Sequence, residues 1–86
     1  MKLNPKYVLR EIAGETILVS LADLTSTKRL LCLNELGTSI YKLLLQGLET
    51  EEILENLMNE YDVEEAVLKA DMDEFIKTLK GYEVIF

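Results

Sequence analysis

LLCLNELGTSIYKLLLQG, residues 30–47, changes its period halfway along. Leu30 to Leu33 form a short apolar run that suits a strand. From Leu36 onward the apolar residues fall at helical spacing, and Leu36, Ile40, Leu43 and Leu44 share one face. Between the two halves stand Asn34, a good helix N-cap, and Glu35, a negative charge at the positive end of the dipole. Gly37 costs about 1 kcal/mol of helix propensity relative to Ala. In the first turn, its missing side chain lets the helix start close to the sheet. Tyr41 and Leu45 fall on the far side, so this helix is expected to be sandwiched between other elements. Gly47 is the expected stop.

Working outward, residues 7–12 (YVLREI) and 16–21 (TILVSL) read as two strands of a hairpin, with Gly14 in the turn between them. Ile17, Val19 and Leu21 share one face of the second strand; Thr16, Leu18 and Ser20 share the other. ADLTST, 22–27, is a polar connection to a third strand, KRLLCL, 28–33. Short links predict an antiparallel meander with the second strand in the middle. Downstream, a second helix is expected from a Thr50 cap, with Ile53, Leu54, Leu57, Met58 and Tyr61 on its stripe. A third is expected from Asp62, with Glu65 completing an acidic capping box. Its core face is Leu68, Met72, Phe75, Ile76 and Leu79, and Lys69, Asp73 and Lys77 suit a solvated face opposite. Gly81 should end it, and YEVIF closes the chain as a short strand or an apolar tail. The expected fold class is α+β: a three-stranded antiparallel sheet followed by three helices, with residues 1–86 as one domain.

Composition narrows the chemistry. Nine Lys and Arg against sixteen Asp and Glu give a net charge of −7, and histidine is absent. An acidic domain repels a phosphate backbone, which argues against nucleic acid as a partner. One cysteine and no histidine argue against a zinc site. Cys32, inside an apolar run, reads as a small core residue. There is no Cys–His pair for nucleophilic catalysis and no Gly-rich phosphate loop. Glu51-Glu52 and Glu64-Glu65 sit in the first turns of expected helices, where the dipole accounts for them. Tyr7, Tyr41, Tyr61 and Tyr82 read as packing residues with wet hydroxyls. No run approaches the ~18 apolar residues of a membrane helix, and MKLNPKYVLRE lacks a signal-peptide core. The expectation is a cytoplasmic binding domain, not an enzyme, with no metal, cofactor or membrane partner.

The order of elements and three segments, LLCLNELGTSIYKLLLQG, TEEILENLMNEYDV and VLKADMDEFIKTLKGYEVI, resemble the PqqD-like family, the recognition elements for ribosomally made, modified precursor peptides. The likeness rests on Leu33-Asn34, Gly37, Ile40-Tyr41 and Asp71-Met72 in their order and spacing, and runs from about Tyr7 to the end. TSTKRLL lacks the Tyr-Pro-Glu-like loop of coenzyme PQQ synthesis protein D itself, so the likeness is to the family in its broad sense. It implies a winged helix-turn-helix-like fold and a non-catalytic adaptor or chaperone. Such an adaptor binds the leader of a precursor peptide as an added strand and delivers it to a modifying enzyme, often a radical S-adenosylmethionine enzyme.

On that reading the third strand is an open edge, and a peptide pairs with it beside the third helix. The expected contacts are Lys28, Arg29, Leu30, Leu31 and Cys32 on the strand. On the helix they are Val67, Asp71, Glu74 and Thr78, one shoulder of the core stripe at 100° per residue. Lys28 and Arg29 would attract acidic leader residues; Val67 and the outward member of Leu30 and Leu31 would take apolar anchors. An edge of this kind also allows a homodimer. The alternative, a winged-helix DNA-binding regulator, calls for a basic recognition helix, whereas Asp73 and Glu74 stand among Lys69, Lys77 and Lys80.

Overall fold

The computed structural model describes residues 2–21 and 30–86. Three strands precede three helices: β1 (Tyr7–Ile12), β2 (Glu15–Ser20), β3 (Leu30–Leu33), α1 (Glu35–Leu45), α2 (Thr50–Glu60) and α3 (Glu65–Gly81). The sheet is antiparallel in the order β1-β2-β3, so the meander has β2 in the middle. This α+β arrangement is compatible with a winged helix-turn-helix. Lys28 and Arg29, expected at the start of the third strand, lie outside the described residues.

A two-residue turn closes the first hairpin, with Ala13 at φ 54° and Gly14 at φ 82°. Both residues in the left-handed region define a type I′ turn, whose twist matches that of the strands. The core face of β2 is not its more apolar one. Leu18 is fully buried and Ser20 nearly so, whereas Leu21 is exposed. Neighbouring strands make up the apolar content of the inner face: Leu9 pairs with Leu18, which pairs in turn with Leu31, and Leu33 follows. Ser20 is tolerated there because its hydroxyl hydrogen-bonds that of Tyr7. The outer face, turned away from the core, keeps Ile17 and Val19 half-buried and Ile12, Leu21 and Leu30 exposed.

Cys32 corrects the expectation of a small core residue. It is exposed, on the outer face, because the strand alternates and Leu31 and Leu33 take the inward places.

Asn34 caps α1, its Oδ1 accepting from the Gly37 N–H at 2.7 Å. Gly37 admits a helix rather than the sheet: a Cβ there would meet the Phe75 ring of α3 at 3.0 Å. Tyr41 is buried, whereas Leu45 is exposed, so the sandwiching is partial. Gly47, at φ 88°, ends the helix in a Schellman arrangement, with Gly47 N–H bonded to Leu44 O and Leu48 N–H to Leu43 O.

α2 begins at Thr50 as expected but with another cap, and α3 begins later than expected. Glu49, not Thr50, is the N-cap of α2, and its N–H is met by Glu52 Oε1 at 3.1 Å. Tyr61 ends α2 in extended backbone, so Asp62 falls in the connection and α3 starts after Glu64, without a side-chain cap. α3 ends at Gly81 as expected, but Gly81 does not supply the left-handed turn. Glu83, at φ 61°, takes the left-handed position, and Val84 N–H returns to Leu79 O at 2.8 Å.

The core gathers Leu18, Ile40, Tyr41, Leu44, Ile53, Leu57, Leu68, Met72, Ile76, Leu79, Val84 and Ile85. Its last two members show that the closing segment is packed, and Leu3 forms a bridge with Ile85. Lys2 and Phe86 exchange two main-chain hydrogen bonds, at 2.7 and 2.9 Å. The hydroxyl of Tyr7 donates to Tyr82 O at 2.7 Å. Among the described residues no helix is long and apolar enough to cross a membrane.

Candidate functional site: a sheet edge and a groove between helices

The free side of β3 has a definite polarity. Leu21 N–H bonds Lys6 O at 2.7 Å, and the tight turn pairs Ile12 with Glu15. In an antiparallel ladder, hydrogen-bonded and non-bonded pairs alternate. Glu15, Ile17 and Val19 therefore direct their main-chain groups toward β1. Thr16 and Leu18 direct theirs toward β3, where their partners are Leu33 and Leu31. Leu30 and Cys32 are left with N–H and C=O pointing away from β2, along the edge. Among the described residues no strand pairs with them.

Where β3 ends, a groove of about 330 Å³ opens between the first turns of α1 and the middle of α3. Asn34, Leu36, Gly37 and Ile40 form one wall; Asp71, Glu74, Phe75 and Thr78 form the other. The apolar floor follows from the helix pattern: Ile40 is buried, and Leu36 and Phe75 half-buried. Asp71, Glu74 and Thr78 are exposed along the rim. Thr78 Oγ1 donates to Glu74 O at 3.1 Å, which ties that side chain to its own helix.

The structure thus brings Asp71, Glu74 and Thr78 to one groove. Val67, half exposed, stands one turn earlier on α3 and does not line it. Leu30 and Leu31 do not line it either: Leu30 is exposed on the outer face and Leu31 half-buried toward the core. Cys32 lines a larger hollow, about 780 Å³, on the other flank of α1 with Thr16, Thr38 and Lys42. Spacing places Phe75, Leu36 and Ile40 in the core and does not reveal their part in the groove. The available signal was Gly37, whose bare position marks where another element comes close. Among the described residues no three His, Cys, Asp or Glu lie together in a way that would hold a metal.

The family model for coenzyme PQQ synthesis protein D (PqqD) matches residues 15–85. No curated protein matches the chain. Among solved structures, TbiB1 in complex with the TbiA(beta) leader peptide is 30% identical, with a TM-score of 0.82 over 98% of this chain and 93% of that one. Lasso peptide synthetase B1 complexed with the leader peptide is 21% identical, with a TM-score of 0.77 over 93% of this chain and 89% of that one. At that identity the likeness is one of fold. The DNA-binding reading finds no support in these matches.

Proposed function

The chain belongs to the PqqD family, and from that premise we propose that it is a peptide-recognition adaptor without catalysis of its own. It binds the leader segment of a ribosomally made precursor peptide and presents it to a modifying enzyme, a radical S-adenosylmethionine enzyme being the partner the resemblance implies. Residues 1–86 act as one recognition unit.

The observation that carries the reading is the open main-chain edge at Leu30 and Cys32, running into a side-chain groove at Asn34. A peptide laid along β3 pairs with the outward N–H and C=O groups of those two residues. Each such bond contributes ~1 kcal/mol net. Alternate side chains of the added strand turn toward the helices, where Asp71, Glu74 and Thr78 await them. The others continue the outer sheet face beside Leu30, and Val67 offers an apolar contact. Leu31 supports the strand from within. Lys28 and Arg29, which precede Leu30 in the sequence, add charge worth only ~0–1 kcal/mol per ion pair. That TbiB1, 30% identical, is seen with a leader peptide supports the same use of this fold here.

Titration of ¹⁵N-labelled protein with the leader of the precursor encoded beside it tests the proposal. Amide shifts are expected at residues 28–33 and 67–78. Shifts gathered elsewhere overturn the groove even if the peptide binds; no binding at all overturns the adaptor.

A further inference from the structure

Resting on the adaptor reading, we propose that the groove between α1 and α3 selects a lysine or arginine of the bound peptide. The cationic head lies between Asp71 and Glu74, and the aliphatic stem lies over Phe75.

The lining carries the argument. Among the described residues, the only charged ones that line it are Asp71 and Glu74, and no lysine or arginine shares it. The two lie three apart on α3, so they project side by side from one helix face. Both are exposed at the rim, while the floor is Phe75, Leu36 and Ile40. An acidic rim above an apolar floor matches a side chain with a hydrocarbon stem and a positive tip. An aspartate or glutamate there would meet two like charges. A purely aliphatic anchor would leave the rim unanswered. The aromatic ring adds its own attraction for a cation. The volume, about 330 Å³, is at the small end for ligand sites, so the groove takes side chains and leaves the main chain to the β3 edge.

A phage-displayed random-peptide library, selected on the full chain, is the test. The wild type should enrich peptides with lysine or arginine at one fixed position relative to the segment that pairs with β3. The Asp71→Asn, Glu74→Gln double variant should lose that enrichment. A control that removes two carboxylates elsewhere, Glu55→Gln with Glu60→Gln on the outward face of α2, should keep it. A selected peptide should bind about threefold to fivefold more weakly for each rim carboxylate removed. The same peptide with its cation changed to methionine should bind wild type and double variant alike. Peptides that shift the β3 amides yet show no fixed cation, or an unchanged preference in the double variant, overturn the inference and leave the adaptor standing. Selected peptides that leave the β3 amides unshifted overturn both.

Discussion

At Gly37 a single missing side chain sets how closely α1 and α3 approach. A Cβ would meet Phe75 at 3.0 Å and Asn34 Oδ1 at 3.1 Å. Gly37→Val should therefore overpack this point and cost about 1–3 kcal/mol. Asn34→Ala, which removes only the cap, should cost about 1 kcal/mol. Urea melts of the two variants check the order, and Gly37→Val with Phe75→Leu should recover part of the loss. An undiminished melt for Gly37→Val would mean that the helices do not close on this residue. The cap was legible in the sequence because it is local: Asn34 and Gly37 stand at the spacing a cap requires. Phe75 as the neighbour was not, since periodicity says which face a residue occupies and nothing about what comes to meet it. The same holds for Glu83. A rule that looks for glycine places the end of α3 correctly at Gly81 but not the left-handed residue, which is Glu83, its carbonyl held by Asn4 Nδ2 at 2.9 Å, a contact made across the whole chain.

Among the elements, β3 is the one whose two sides differ in consequence. Cys32 turns its N–H outward and Leu31 turns its own toward β2. Proline is tolerated on an edge strand where the lost N–H faces away from the sheet. Cys32→Pro should therefore fold and lose leader binding by tenfold or so, one charge-free main-chain bond and its neighbours being worth about 1–1.5 kcal/mol. Leu31→Pro should instead break the ladder to β2 and lower the melting temperature. Calorimetric titration beside thermal melts separates the two. If Cys32→Pro binds as wild type does, the peptide does not pair with this edge. The strand itself was legible from its apolar run, and its polarity was not. Polarity depends on register, which is set by the Ala13-Gly14 turn and by Leu21 bonding Lys6, two strands away. The start of α3 was not legible for a related reason: Asp62 and Glu65 fit a capping pattern, but Tyr61 ends α2 in extended backbone and the connection runs past Asp62 to Glu64.

For the molecule as a whole, the order of elements and most of the core followed from helix and strand periods. The union of the two ends did not, because a bridge between Leu3 and Ile85 leaves no periodic trace. Buried phenols give the fold a pH dependence. Burial holds Tyr41 above the usual tyrosine range; Tyr7 is raised by burial first and by the Glu83 carboxylate next. A raised pKa means that the folded chain keeps protons the unfolded chain releases. Stability from these groups is whole below pH about 10 and is lost as pH rises through the folded values. Denaturant midpoints should fall between pH 9 and about 11, and Tyr41→Phe should lessen the fall. An equal fall in that variant would assign the effect to other groups. The paired ends also have a bearing on attachment. Leu3 lines a hollow with Leu44 and Leu48 at the C-terminal end of α1, whereas the groove opens at its first turn. Asn34, where the groove opens, and Leu44 lie ten residues apart along α1, roughly 15 Å of rise, and Ile40 at the groove's inner end is one turn from Leu44. Anything joined through Lys2 or Phe86 would leave the described residues from a common point, on the Leu44 side of α1 and not on the Asn34 side.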